Sequence, residues 1–165
     1  MTTPQPASVP AVGPMPSDEE ILISLAQRQE EINAAWDRVE AKAKELVAQT
    51  GQTATTISIF CGYGNFTHYD EERFDWTDPD GARHTLEWGE VEGMDAAWEA
   101  LGGRLYDLAS LTYPSPGEVN REWLQLGDHD LALLIYGVED DEGFYNEEES
   151  PIYQRFLEID RDRSQ

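Results

Sequence analysis

Two stretches of the sequence crowd carboxylates beside aromatic rings, and these are the residue types best suited to chemistry. Asp70, Glu71, Glu72, Asp75, Asp78 and Asp80 make the first, interleaved with Tyr63, Phe66, Tyr69, Phe74 and Trp76. Glu139, Asp140, Asp141, Glu142, Glu147, Glu148 and Glu149 make the second, around Phe144 and Tyr145. Carboxylates in such numbers can chelate a divalent cation, move protons in catalysis, or meet Arg and Lys on another protein.

Each use has its own spacing rule. A calcium loop of the EF-hand type wants acids at its first, third and fifth positions, Gly at the sixth and Glu at the twelfth. With Gly143 as the sixth, Asp140, Glu142 and Glu149 fall correctly, but Val138 stands first; with Gly81 as the sixth, Trp76 stands first. No dedicated metal site is expected. Paired carboxylates serve glycosidases and nucleases, yet 34 acids produce pairs at almost any spacing by chance. His68, His84 and His129 are scattered, and Asp128-His129-Asp130 supplies neither a triad nor a ligand set. No G-x-S-x-G, P-loop or G-x-G-x-x-G is present, and Gly62-x-Gly64 reads as a turn. The sequence therefore predicts no catalytic residue, no cofactor and no enzyme activity.

Recognition of a cationic partner is the remaining use, and total charge favours it. The chain has 34 Asp and Glu against 11 Lys and Arg, a net charge of −23. Solubility of a small domain needs a magnitude of only about 2–8. Such self-repulsion destabilises a compact state, so a partner or a salty medium must offset it. DNA, RNA and anionic membranes would be repelled, because phosphate contacts require Lys and Arg. A basic nucleic-acid-binding protein is the natural complement. DNA carries one charge per about 1.7 Å, so this net charge matches roughly 40 Å of duplex. Residues 1–50 hold 8 acids and 4 bases, whereas 51–165 hold 26 acids and 7 bases. The excess thus belongs to the later segment.

The elements that must carry these residues can be read in order. Residues 1–16 hold five of the nine prolines and predict a disordered arm. Ser17-Asp18-Glu19-Glu20 forms a capping box, opening a helix that runs to Thr50-Gly51. Leu25, Ile32, Val39 and Leu46 fall seven apart, with Leu22, Trp36 and Ala43 beside them and Gln29 as the polar exception. The stripe predicts self-association of residues 17–50 through Leu25, Ile32, Trp36, Val39 and Leu46, against the alternative that it lies over a sheet.

After Gly51 the period changes to two: Thr55, Ile57, Ile59 and Cys61 alternate with Thr56, Ser58 and Phe60, which predicts a strand. Asp78-Pro79-Asp80-Gly81 between two further alternating runs predicts a hairpin. Met94, Trp98, Leu101, Leu105 and Leu108 return to helical spacing, and Trp123 to Leu126 reads as a short strand or helical turn. Leu131 to Val138, almost wholly apolar, predicts a central strand, and Ser150-Pro151 predicts the start of a terminal helix. The expected class is α+β: a mainly antiparallel sheet of about four strands packed by helices, with a long N-terminal amphipathic helix. Residues 51–165 form its acidic domain.

Cys61 is the only cysteine, no run of about 18 apolar residues is present, and residues 1–17 lack the features of a secretory signal. An intracellular, cytoplasmic protein is expected. The leading functional expectation is an inhibitor that mimics nucleic acid and blocks the basic groove of a DNA- or RNA-binding protein. Anti-restriction and anti-CRISPR counter-defence proteins of phages and plasmids share this size and charge, a likeness of composition and not of sequence. The alternatives are an immunity protein for a basic nuclease toxin, or a dimeric adaptor built on residues 17–50.

Overall fold

In the computed structural model the described residues are 15–61, 71–87, 94–109, 111, 118–139, 145–146 and 150–164. The expected arm, apart from residues 15 and 16, and the turn over 62–65 lie outside them. Ser17 starts the longest element, α1 (Asp18–Ala48). Its hydroxyl accepts from the Glu20 amide at 3.1 Å, and the Glu20 carboxylate accepts from the Ser17 amide at 3.5 Å, which completes the capping box. Asp18, Glu19 and Glu20 favour the positive helix end. Gly51, at φ +82°, turns the chain away through the left-handed region.

The order continues with β1 (Thr56–Cys61), β2 (Glu71–Thr77), β3 (Arg83–Glu87), α2 (Met94–Ala109), β4 (Glu118–Val119), α3 (Asp128–Tyr136), β5 (Val138–Glu139), β6 (Tyr145–Asn146) and α4 (Pro151–Arg163). The class is α+β, with four helices among the described residues. The sheet has three strands of five to seven residues, in the order β3-β2-β1, and all of their pairings are antiparallel. The fourth strand expected is reduced to the two-residue β4, which reaches β1 only at Ile59–Val119 and Phe60–Glu118.

Register divides the sheet cleanly. Ile57, Trp76 and His84 form one cross-strand row and Ile59, Phe74 and Leu86 the next, all facing the helices. The five apolar members are between 0 and 4% exposed. The opposite face carries Thr56, Thr77 and Arg83 in one row and Ser58, Asp75 and Thr85 in the next. The alternation read from Thr55 to Cys61 thus puts its apolar half on the core.

α1 is the spine of that core. Ile21, Leu25, Ile32, Ala35, Trp36, Val39, Ala43, Leu46 and Val47 are all at most 2% exposed, in one cluster with the inner sheet face and the apolar sides of α2, α3 and α4. This corrects the expected self-association seam: Leu25, Ile32, Trp36, Val39 and Leu46 are covered by their own chain. Cover from the same chain costs no translational freedom, so it outcompetes a second copy. It also places residues of 17–50 and 51–165 in one core cluster.

A second correction concerns residues 131–138. They form no central strand; Leu131 to Tyr136 lie in α3. A short apolar run without periodicity fits either state, and here Leu131, Ala132, Leu133 and Leu134 bring high helix propensity. Gly127 caps the start, Asp128 and Asp130 favour the first turn, and the Gly137 amide donates to the Leu133 carbonyl at 2.8 Å. Leu131 and Ala132 are buried, and the Tyr136 and Ser24 hydroxyls bond at 2.6 Å, tying α3 to α1. The Trp123 to Leu126 segment belongs to a turn and the start of a coil. α4 starts as expected, with Ser150 Oγ accepting from the Tyr153 amide at 3.1 Å and Tyr153, Phe156 and Ile159 buried.

The hairpin turn depends on one carboxylate. Asp78 Oδ1 accepts from the amides of Asp80 and Ala82, both at 2.9 Å, while Oδ2 meets His84 Nε2 at 2.8 Å. The His84 contact first, then the Ala82 amide, holds the Asp78 carboxyl below its ordinary value of 3.8. A carboxyl depressed in the folded state stabilises above the ordinary value and loses that contribution as pH falls through the depressed one. Acid titration from neutral pH should therefore loosen the turn below about pH 4. Hydrogen exchange at the Ala82 amide checks it: Asp78→Asn should exchange faster at neutral pH and respond less to acid. Equal acid sensitivity in both proteins would remove Asp78 as the cause.

Candidate protein-binding surface

The hairpin cluster divides between roles inside the fold and exposure. Asp75, on the outer sheet face, accepts from Arg83 Nε at 3.0 Å and Nη2 at 2.8 Å through Oδ2, and from Thr85 Oγ1 at 2.8 Å through Oδ1. Its side chain is only 12% exposed. Asp78 is engaged in the turn. Trp76, expected at an interface, is 3% exposed and stacks on His84 with ring centroids 4.3 Å apart. Its position in β2 points it inward with Phe74, so its ring belongs to the core. Asp80 stands exposed at the turn tip. Glu71 and Glu72 are described only as backbone opening β2, and Asp70 lies outside the described residues.

Of the second cluster, Glu139 and Tyr145 are brought together as cross-strand partners of β5 and β6. Asp140, Asp141, Glu142, Phe144, Glu147, Glu148 and Glu149 lie outside the described residues.

A different surface, unnoticed in the sequence, joins the polar face of α1 to the segment 120–126. Arg121 Nη2 donates to Asp37 Oδ1 at 2.7 Å and to Glu40 Oε2 at 2.5 Å. These two carboxylates raise the affinity of Arg121 for its proton. Gln29 Nε2 donates to the Leu124 carbonyl at 2.8 Å, and Gln29 Oε1 accepts from the Leu126 amide at 3.0 Å. Gln125 Nε2 reaches Asn33 Oδ1 at 2.9 Å. Asn120 Oδ1 accepts from the Trp123 amide at 2.9 Å, and the Trp123 side chain stands 55% exposed. Two signals were visible beforehand: Gln29 as the polar break in an apolar stripe, and Asp37 and Glu40 at helical i,i+3 spacing.

Most cations among the described residues are paired with the chain's own carboxylates. Arg28 pairs with Glu31, Lys42 with Glu45, Lys44 with Glu40, Arg83 with Asp75, Arg121 with Asp37 and Glu40, Arg155 with Asp18 and Glu158, and Arg163 with Asp128. Seven of the ten Lys and Arg whose side chains are described are thus engaged.

No family model, curated protein or solved structure matches this chain. Its function must therefore be argued from the site itself. Among the described residues no group of three or more His, Cys, Asp or Glu is placed to hold a metal ion. No helix among them is long and apolar enough to cross a membrane. What the arrangement can do chemically is present carboxylates and an indole ring to a cation.

Proposed function

We propose that the protein is a non-enzymatic, cytoplasmic inhibitor that binds a basic nucleic-acid-binding protein and blocks its groove, as counter-defence proteins of the anti-restriction or anti-CRISPR kind do. The observation carrying this is the pairing of seven of the ten Lys and Arg whose side chains are described with the chain's own carboxylates, in a molecule of net charge −23. Cations held in such pairs offer little to an external phosphate, and the surplus carboxylates set the sign of the field outside. A basic groove built to neutralise phosphates meets that field favourably, and association is steered by it.

Burial of the α1 stripe removes the main support for a dimeric adaptor. An immunity protein would need the same field, so the nature of the captured partner separates it from a groove blocker.

The test is capture on the immobilised full chain at about 0.05 M and 0.5 M salt, followed by competition with duplex DNA. Basic DNA- or RNA-binding proteins should be retained at low salt, released at high salt and displaced by the duplex. Retention of a nuclease toxin indifferent to competing duplex would favour the immunity reading. Recovery of acidic proteins alone would sink both.

A further inference from the structure

Trp123 is out of character with the other tryptophans whose side chains are described. Trp36 and Trp76 are 1% and 3% exposed, whereas Trp123 is 55% exposed. It is also held in place. Its amide is bound by the Asn120 side chain, and Leu124, next to it, is 4% exposed with its carbonyl clamped by Gln29. Arg121, two residues before it, is fixed by Asp37 and Glu40, and Gln125, two residues after it, by Asn33. The turn is thus tied to α1 on both sides of the indole. An aromatic side chain displayed from an ordered backbone loses little entropy on binding, and Trp is enriched among the residues that dominate interface energetics.

Charge identifies what the ring is suited to meet. Asp37, Glu40 and adjacent Glu122 stand against Arg121 and Lys44 in this part of the surface, which therefore keeps a net negative charge in a chain of net charge −23. An indole face attracts cations, best of all a planar guanidinium that stacks on the ring while donating to nearby carboxylates. We propose that Trp123 is the anchor of the partner interface and receives an arginine side chain of the basic partner. The proposal rests on the anionic-surface function above and puts its energetic centre on a residue that belongs to neither carboxylate cluster read from the sequence.

The test uses nona-arginine and nona-lysine peptides as probes, titrated against the full chain at about 0.15 M salt by calorimetry. Wild type should bind nona-arginine more tightly than nona-lysine. Trp123→Ala should lose about three- to tenfold in affinity for nona-arginine, with a smaller change for nona-lysine. Trp123→Phe should fall between them and confirms, with circular dichroism of both variants, that the fold is kept. The dependence of affinity on salt should not change, because no charge is removed. Unchanged nona-arginine affinity in Trp123→Ala would overturn the anchor while leaving the anionic surface standing. Failure of wild type to bind either peptide would overturn the surface itself.

Discussion

Trp36→Ala should destabilise the protein by about 3–5 kcal/mol, and Trp36→Phe by less than half as much. Trp36 lies in the middle of the buried stripe of α1 at 1% exposure, so alanine leaves a cavity that rigid neighbours fill only in part. Phenylalanine keeps most of the ring volume. It also deletes an indole N–H that is buried and has no hydrogen-bond partner among the described residues. Such an orphan costs about 1–3 kcal/mol, and removing it offsets part of the lost packing. Urea unfolding of the two variants measures the difference. Both midpoints should be independent of protein concentration, because the stripe is covered within the chain. A phenylalanine variant as unstable as alanine would mean that the indole nitrogen is satisfied after all.

Gln29→Leu should destabilise by about 1–3 kcal/mol, although the sequence pattern alone would forecast the opposite. In the heptad reading Gln29 is the flaw in an apolar row, and leucine would repair it. In the structure its amide serves as both donor and acceptor to the backbone at Leu124 and Leu126, 95 and 97 residues away. Leucine leaves that carbonyl and amide without their partner in a half-buried setting. Thermal unfolding gives the sign, and faster hydrogen exchange at the Leu126 amide gives the location. Stabilisation by leucine would show that water replaces the clamp at no cost. The same variant should weaken nona-arginine binding, since the turn that displays Trp123 loses one of its ties to α1.

Local chemistry made much of the fold readable. The Ser17 capping box, the Ser150-Pro151 helix start and the Asp78 to Gly81 turn each rest on residues within four positions of one another, and each has the expected geometry. The inward set of the sheet was readable as well, since Phe74 and Trp76 alternate with polar residues. Grouping Trp76 with its acidic neighbours obscured its direction. Leu131 to Tyr136 was not readable, because a run apolar on all sides has no period to separate strand from helix.

The surface was less readable than the fold for a physical reason. Arg121 finds Asp37 and Glu40 across 84 and 81 residues, and Gln125 finds Asn33 across 92. No short-range pattern encodes such pairs. Counting acids along the chain therefore pointed to the hairpin, where Asp75 and Asp78 serve the fold, and passed over the turn that holds Trp123 outward.

The spine arrangement also has a consequence in time. Arg155 Nε and Nη2 grip the two carboxylate oxygens of Asp18 at 2.9 and 2.7 Å across 137 residues, so α1 is made well before its α4 neighbour. At roughly 5–20 residues per second of synthesis, that interval lasts about 7–27 seconds. Throughout it, part of the apolar face of α1 has no cover, and newborn chains on neighbouring ribosomes could adhere through it. The growing excess of carboxylates adds repulsion between those chains, which opposes that adhesion.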